Sequence, residues 1–405
     1  MAKIAIIGHG VVGSGVAELL IQHADTIRGR AREELDVSRI LDLRSFPDLP
    51  YADRFTTDFE QIVNDPEISI VAEAMGGLHP AYEFVSRCLE AGKSVVTSNK
   101  ELVAEKGAAL LALAKAHKVN FLFEASVGGG IPVLHPMMQC LAANRFSEIS
   151  GILNGTTNFI LTKMIREHMT FADALALAQQ LGYAERNPAA DVEGIDACRK
   201  ICILASIAFG HHIYPKFVHT EGITQIALAD VAYADRAGYA VKLIGHADRQ
   251  PDGRVNALVA PFLIPHGNPL SVVDDVFNAI MVTGDATGDV LFYGKGAGKL
   301  PTASAVVSDI IECAKHPQGC DYADWTDGDG SMVCDAAAVP YARYLRCDAL
   351  TPDAVRAAFG EVQPINGESA DETAFLTAPL TDAQLQSAIA AAHASVRSVI
   401  RVLAH

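Results

Sequence analysis

The sequence predicts an α/β protein: a doubly wound parallel sheet, then an α+β domain, then a small ferredoxin-like domain. Three observations predict it. An apolar strand, Lys3 to Ile7, runs into Gly8-His9-Gly10-Val11-Val12-Gly13 and from there into a helical pattern. Strands and helices then alternate up to residue 135, the pattern of parallel βαβ units. From 335 to 405 the order reads β-α-β-β-α-β.

Composition fits a globular protein. The 405 residues are half apolar and carry no low-complexity tract, enough for two or three domains with a large core. A net charge of −16 supplies no basic stripe, so nucleic-acid binding is not expected. No apolar run is long enough to span a bilayer, and Lys3 leads straight into a strand without a signal-peptide pattern; no membrane partner and a cytoplasmic location are expected. Eight cysteines show neither Cys-x-x-Cys nor metal-ligand spacing, and Cys198 and Cys202 read as small buried hydrophobes one helical turn apart.

The glycine turn has the strand before it and the helix after it that let bare backbone approach a pyrophosphate at a helix N-terminus. Gly8, Gly10, Val11, Val12 and Gly13 are therefore candidate dinucleotide contacts on a Rossmann-type sheet. A second strand ends near Asp42, where an acid hydrogen-bonds the adenosine ribose of NAD, unless Asp42 is simply a turn residue. Arg44, two residues on, suits the 2′-phosphate of NADP instead, so NAD is only slightly favoured. A strand at 68–74, a helix at 80–91, a strand at 94–97, a helix from 101 and a strand at 119–123 complete a domain over 1–135. Ser98-Asn99-Lys100 follows a strand end, where ligands collect in such sheets, which makes Lys100 a candidate for the reacting carbonyl or a substrate carboxylate.

The segment Phe123 to Pro132 sets Glu124 before three consecutive glycines. One carboxylate among neutral carbonyls suits a hard cation of low charge, but a tight turn onto a helix beginning near Pro132 explains the segment by itself. Further on, a helix over 195–210 places Asp196 and Lys200 on one face, with Glu185 and Asp191 in the proline-interrupted stretch before it. Taken alone, Asp196 and Lys200 form a solvated ion pair of little worth. The gathering of acids at a helix start with one lysine a turn further in suggests more.

In these stretches, and in Gly151 to Asn158, Gly182 to Lys200, and Gly294 to Gly298 followed by Pro301-Thr302-Ala303, the chain resembles the homoserine dehydrogenases over residues 3 to 312. The resemblance implies reversible NAD(P)-dependent interconversion of L-aspartate 4-semialdehyde and L-homoserine, a step towards threonine and methionine. It implies that Lys200 donates the proton to the carbonyl oxygen and that Lys100 lies at the nicotinamide and substrate end. Glu185, Asp196 and the backbone at Gly182 would hold the substrate's amino and hydroxyl groups, with Asp191 in support. The carbonyls of Val127, Gly129 and Ile131, with Glu124, would bind a monovalent cation, expected to be Na+, and Gly298 would close over the cofactor. The chemistry agrees: hydride addition leaves negative charge on the aldehyde oxygen, which an ammonium group stabilises and protonates. A proton route through water between Lys200 and Lys100 stays open.

The rest of the chain follows the same resemblance. Strands at 149–153, 242–247, 254–264, 280–283 and 290–293, with helices at 157–168, 171–181 and 195–209, make a domain over 136–300. In the resembled family it carries the substrate site and subunit contact, which implies a homodimer or homotetramer. A helix at 302–314 returns to the nucleotide domain, and residues 316–331 read as a linker. Residues 335–405 resemble an ACT domain. Such domains usually turn on Asp-x-Pro-Gly after the first strand, whereas this chain has Asp348-Ala349-Leu350-Thr351-Pro352; the departure argues against an L-threonine effector pocket and leaves a structural or subunit-pairing role open. Two rival functions are a related amino-acid dehydrogenase and a non-catalytic amino-acid sensor. A sensor has no use for Lys100 and Lys200.

Overall fold

The computed structural model describes residues 1–320, 324–367 and 369–403. Residues 321–323 of the expected linker, and 368, 404 and 405 of the expected C-terminal domain, lie outside the described residues. The chain forms two compact units. One is Met1–Arg145 with Cys202–Pro215 and Gly294–Asp329; the other is Phe146–Ile201 with Lys216–Tyr293 and Gly330–His405. These bounds differ from the sequence's divisions at 135, 300 and 335.

In the first unit, β1 (Ala2–Ile7), β2 (Leu35–Leu41), β3 (Phe55–Thr56), β4 (Ile68–Glu73), β5 (Ser94–Thr97) and β6 (Phe121–Leu122) pair in parallel in the order β3-β2-β1-β4-β5-β6. Helices α1 (Val11–Gln22), α2 (Ala24–Ala31), α3 (Glu60–Val63), α4 (Ala81–Glu90) and α5 (Lys100–His117) connect them. Because such a sheet is covered on both faces, β1 is apolar without alternation, and Ile4, Ala5, Ile6 and Ile7 are all buried. The chain reverses direction across the sheet between β1 and β4, which opens a crevice at the strands' C-terminal ends. The helix Lys299–Lys315 packs on α1, with Ala303, Val306 and Ile310 in the same core as Val16 and Leu20.

The second unit is built on one large sheet. Its strands are β7 (Phe146–Ile152), β8 (His219–Thr220), β9 (Tyr239–Arg249), β10 (Val255–Pro265), β11 (Phe277–Gly284), β12 (Gly288–Lys295), β13 (Arg343–Asp348), β14 (Val362–Ile365), β15 (Glu372–Thr377) and β16 (Val396–Val402). They run β12-β11-β7-β9-β10-β16-β13-β15-β14, with β8 beside β10. The turn expected at Pro251-Asp252-Gly253 joins β9 and β10 as an antiparallel pair from Val255↔Arg249 to Pro265↔Tyr239. Helices α6 (Gly155–Glu167), α7 (Phe171–Gln180), α8 (Ala189–Val192), the start of α9 (Ile195–Phe209) and α10 (Leu228–Arg236) belong with it.

The C-terminal β-α-β-β-α-β order is present, with helices Pro352–Phe359 and Asp382–Ala391 and the ferredoxin-like strand order β16-β13-β15-β14. Its own core gathers Leu345, Phe359, Phe375 and Leu385. It is not a separate sheet: β16 pairs in parallel with β10 at Phe262↔Arg401 and Leu263↔Val402. Helix α10 was not expected, because Ala227 at its start has no capping side chain and Asp230 reaches back to the Ala227 N–H instead (3.1 Å).

Candidate active site

The first unit presents a dinucleotide cradle. Gly8 to Gly10 follow β1, and α1 begins at Val11 with no side-chain cap and no acidic side chain in its first turn, leaving the amide groups at that end available to an anion. Gly13 is fixed by packing: a Cβ there would lie 1.9 Å from Gly8 O. Asp42, one residue past β2, accepts the His9 N–H at Oδ2 (2.8 Å) and the Arg44 N–H at Oδ1 (3.0 Å). The Arg44 guanidinium folds back onto both carboxylate oxygens (2.9 and 2.8 Å) and also donates to His9 O (3.0 Å). That hydrogen-bonded guanidinium holds Asp42 well below the usual carboxylate range. The acid and the arginine that the sequence set against each other thus form one group at the lip of the glycine turn. Gly298 precedes the helix Lys299–Lys315 in the same unit.

Lys100 opens α5, directly after β5. Its placement depends on a residue the sequence reading missed, Glu73 at the end of β4. Fully buried, Glu73 accepts the Met75 N–H (2.8 Å) and the Thr97 hydroxyl (2.6 Å), and burial raises its pKa. Thr97 Oγ1 in turn accepts the Asn99 N–H (2.9 Å), while Asn99 caps α5 through Leu102 N (3.1 Å) and donates to Gly77 O (2.7 Å). The loops after β4 and β5 are therefore one hydrogen-bonded assembly.

Glu124 is buried, and its carboxylate binds backbone. Oε1 accepts from Val133 N (2.6 Å) and Leu134 N (2.9 Å), and Oε2 from His135 N (2.6 Å). The turn and the helical segment expected near Pro132 are both present, the latter over Pro136–Cys140. Gly129 has φ +58° and a Cβ there would lie 2.4 Å from Gly296 O, so the glycine run is demanded by packing as well. Gly128 O accepts the Ile131 N–H (2.9 Å), whereas the buried carbonyls of Val127, Gly129 and Ile131 accept no hydrogen bond among the described residues. Three such carbonyls beside a carboxylate fit a cation of low charge. Asp309, fully buried and pushed up to about 6 by that burial, accepts the Glu124 N–H (2.9 Å) and faces His135 Nε2 at 3.1 Å.

In the second unit Asp191, Asp196 and Lys200 come together. The pair four apart on α9 is not solvated: Asp196 and Lys200 are 5% and 7% exposed, with Lys200 Nζ 2.9 Å from Asp196 Oδ2. Lys200 Nζ also donates to Leu153 O (2.8 Å). The organiser, again missed from sequence, is Asn154. Its Nδ2 donates to Asp191 Oδ1 (2.7 Å) and Asp196 Oδ2 (2.9 Å), while its Oδ1 caps α6 through Thr157 N (2.8 Å). Asn-x-x-Thr before an apolar run was a readable helix start; the bridge to the acids was not. Gly182 ends α7 at φ +78°. Glu185 lies exposed in the following loop, and among the described residues its carboxylate makes no hydrogen bond to this cluster.

The strand order, glycine turn and acid-tipped second strand define a nicotinamide-dinucleotide-dependent oxidoreductase, and the lysine and acids of the second unit add groups suited to an amino-acid carbonyl substrate. The relatives agree on which one. Residues 8–124 match the family profile for the homoserine dehydrogenase NAD-binding domain, and residues 132–311 the profile for homoserine dehydrogenase. The homoserine dehydrogenase of Synechocystis sp. is 46% identical over 320 residues, 76% of this chain and 72% of its own; that of Bacillus subtilis is 40% identical over 319 residues, 78% and 73%. The crystal structure of a homoserine dehydrogenase from Thiobacillus denitrificans superposes with a TM-score of 0.88 at 36% identity, covering 99% of this chain and 98% of that one. A hyperthermophilic archaeal homoserine dehydrogenase in complex with NADPH gives 0.65 at 28% identity over 77% of this chain and 97% of its own. The chain belongs to the homoserine dehydrogenase family.

Proposed function

We propose that the chain interconverts L-aspartate 4-semialdehyde and L-homoserine with Lys200 as the group that gives the carbonyl oxygen its proton. The observation that carries this is a buried ammonium held by Asp196 and Leu153 O beside a second acid, Asp191. When bound, the nicotinamide supplies or takes the hydride. The amides at the α1 N-terminus hold the pyrophosphate, Asp42 and Arg44 the adenosine ribose, and Gly298 closes over the cofactor. An acid at the tip of β2 favours the free diol of NAD, with Arg44 as the group that would tolerate NADP. Asp191, Asp196, Glu185 and the Gly182 backbone hold the substrate's ammonium and hydroxyl groups by charge-assisted hydrogen bonds. Lys100 acts at the nicotinamide and substrate end.

Glu124 with the carbonyls of Val127, Gly129 and Ile131 would hold a monovalent cation, Na+ being the expected ion. A homodimer or homotetramer is supported by β12, an edge strand that leaves Leu291 and Tyr293 exposed. The C-terminal strands suit a structural or subunit-pairing role rather than a threonine pocket. The deciding experiment follows reduced-nicotinamide absorbance with L-homoserine and NAD or NADP, in the parent and in Lys200→Ala. Reduction in the parent, lost by about 10²–10⁴-fold in the variant at unchanged cofactor affinity, is the expected result. Parallel loss of cofactor binding would assign Lys200 to folding, and an inactive folded parent would return the rival amino-acid dehydrogenase or sensor.

A further inference from the structure

The C-terminal strands are tied to the segment that carries Asp191 and Asp196, and residues 219–223 are the tie. Ile223 N donates to Val192 O at 2.9 Å. Gly222 lies so close that a Cβ there would sit 2.1 Å from Val192 O and 2.6 Å from Glu193 Cα. Glu221 N donates to Val259 O (2.7 Å), which seats this loop on β10. Its carboxylate meets Arg401 Nη1 of β16 at 2.6 Å and His219 Nε2 at 2.5 Å. Arg401 is 7% exposed and its Nε has no hydrogen-bond partner among the described residues. Its other acid, Asp382, stands 3.9 Å away and is shared with Arg343, the cross-strand neighbour, at 2.6 Å. Two buried arginines side by side therefore depend on Glu221 for half of their countercharge, and that dependence fixes where residues 219–223 sit.

We propose that Glu221 and Arg401 are positioning residues for the amino-acid substrate: the C-terminal strands hold the 219–223 loop, and through Val192 that loop sets the spacing of Asp191 and Asp196. The inference rests on the reading of those two acids as substrate ligands. It gives the C-terminal strands a task that needs no effector turn.

The test compares Glu221→Gln, Arg401→Gln and the double variant with the parent, measuring KM for L-homoserine, KM for the cofactor, kcat and thermal unfolding. Glu221→Gln keeps shape at a side chain that is 41% exposed, and should raise the homoserine KM roughly tenfold while leaving the cofactor KM alone. The double variant should raise the homoserine KM by less than the product of the two single effects, since the Glu221–Arg401 contact is already lost in each. A merely structural pair lowers the unfolding temperature at parental KM, and that result overturns the proposal. Should Arg401→Gln fail to fold, the KM split in Glu221→Gln alone decides. Asp196→Asn separates the two readings: an unchanged homoserine KM there removes the substrate acids and this inference together, whereas a raised KM there with parental KM in Glu221→Gln removes this inference only.

Discussion

Replacing Asn154 by serine tests whether one amide organises the acids proposed to hold the substrate. Serine keeps the cap on α6, because its hydroxyl accepts the Thr157 N–H as Asn154 Oδ1 does now. It removes the donors to Asp191 (2.7 Å) and Asp196 (2.9 Å). Hydrogen bonds to charged groups are worth about 1.5–3 kcal/mol each, and water entering the space left by the amide recovers much of that. A residual loss of about 1.4 kcal/mol corresponds to tenfold in affinity. The homoserine KM should therefore rise about tenfold with the cofactor KM unchanged. Asn154→Ala should show the same KM and, in addition, a lower unfolding temperature from a cap worth about 1 kcal/mol. Steady-state kinetics with each substrate varied in turn, together with thermal unfolding, measures both effects. A serine variant with parental homoserine KM would refute the reasoning, because the acids would then keep their places without the bridge.

Other expectations follow from the same geometry. Gly13→Ala forces a Cβ to 1.9 Å from Gly8 O and should weaken NAD(P) binding by the equivalent of ~1–3 kcal/mol, read by cofactor titration; unchanged affinity would mean the turn yields elsewhere. Asp42→Asn should shift the NAD-to-NADP preference towards NADP by about tenfold in kcat/KM, and no shift would take the ribose contact away from Asp42. Glu124→Gln should weaken the dependence of activity on monovalent cation, measured by salt titration at constant ionic strength. The single tryptophan, Trp325, donates to His212 Nδ1 (3.2 Å), which also accepts the Ala108 N–H (3.0 Å), so the neutral ring carries its proton on Nε2, facing Ala104 O (2.8 Å). Burial lowers the His212 pKa from 6.5. The unfolded chain then binds this proton first, so stability is full above about pH 6.5 and falls as pH drops towards the folded-state value. Trp325 emission should titrate with a midpoint below 6.5, and a higher midpoint would contradict the arrangement.

What could be read from the sequence were features whose cause is local. The glycine turn is legible because Gly13 answers to the backbone of Gly8, five residues before it, and Asp196 with Lys200 because helical spacing alone brings them to one face. Glu73 and Asn154 were not legible because their partners are distant: Thr97 is 24 residues from Glu73, and Asp191 and Asp196 are 37 and 42 from Asn154. Burial was also beyond local reading, which is why the Asp196–Lys200 pair read alone as a solvated one. Their burial has a chemical consequence. Lys200 Nζ lies 2.9 Å from Asp196 Oδ2 and 2.8 Å from Leu153 O, in surroundings where unpaired charge is expensive. The Asn154 amide lets the Asp191 and Asp196 carboxylates stand together by donating to both. On the proposed reading, an amino acid whose ammonium group enters beside those carboxylates gains charge-assisted hydrogen bonds that a plain aldehyde cannot make, so substrate choice would be set by the ammonium group as well as by the carbonyl.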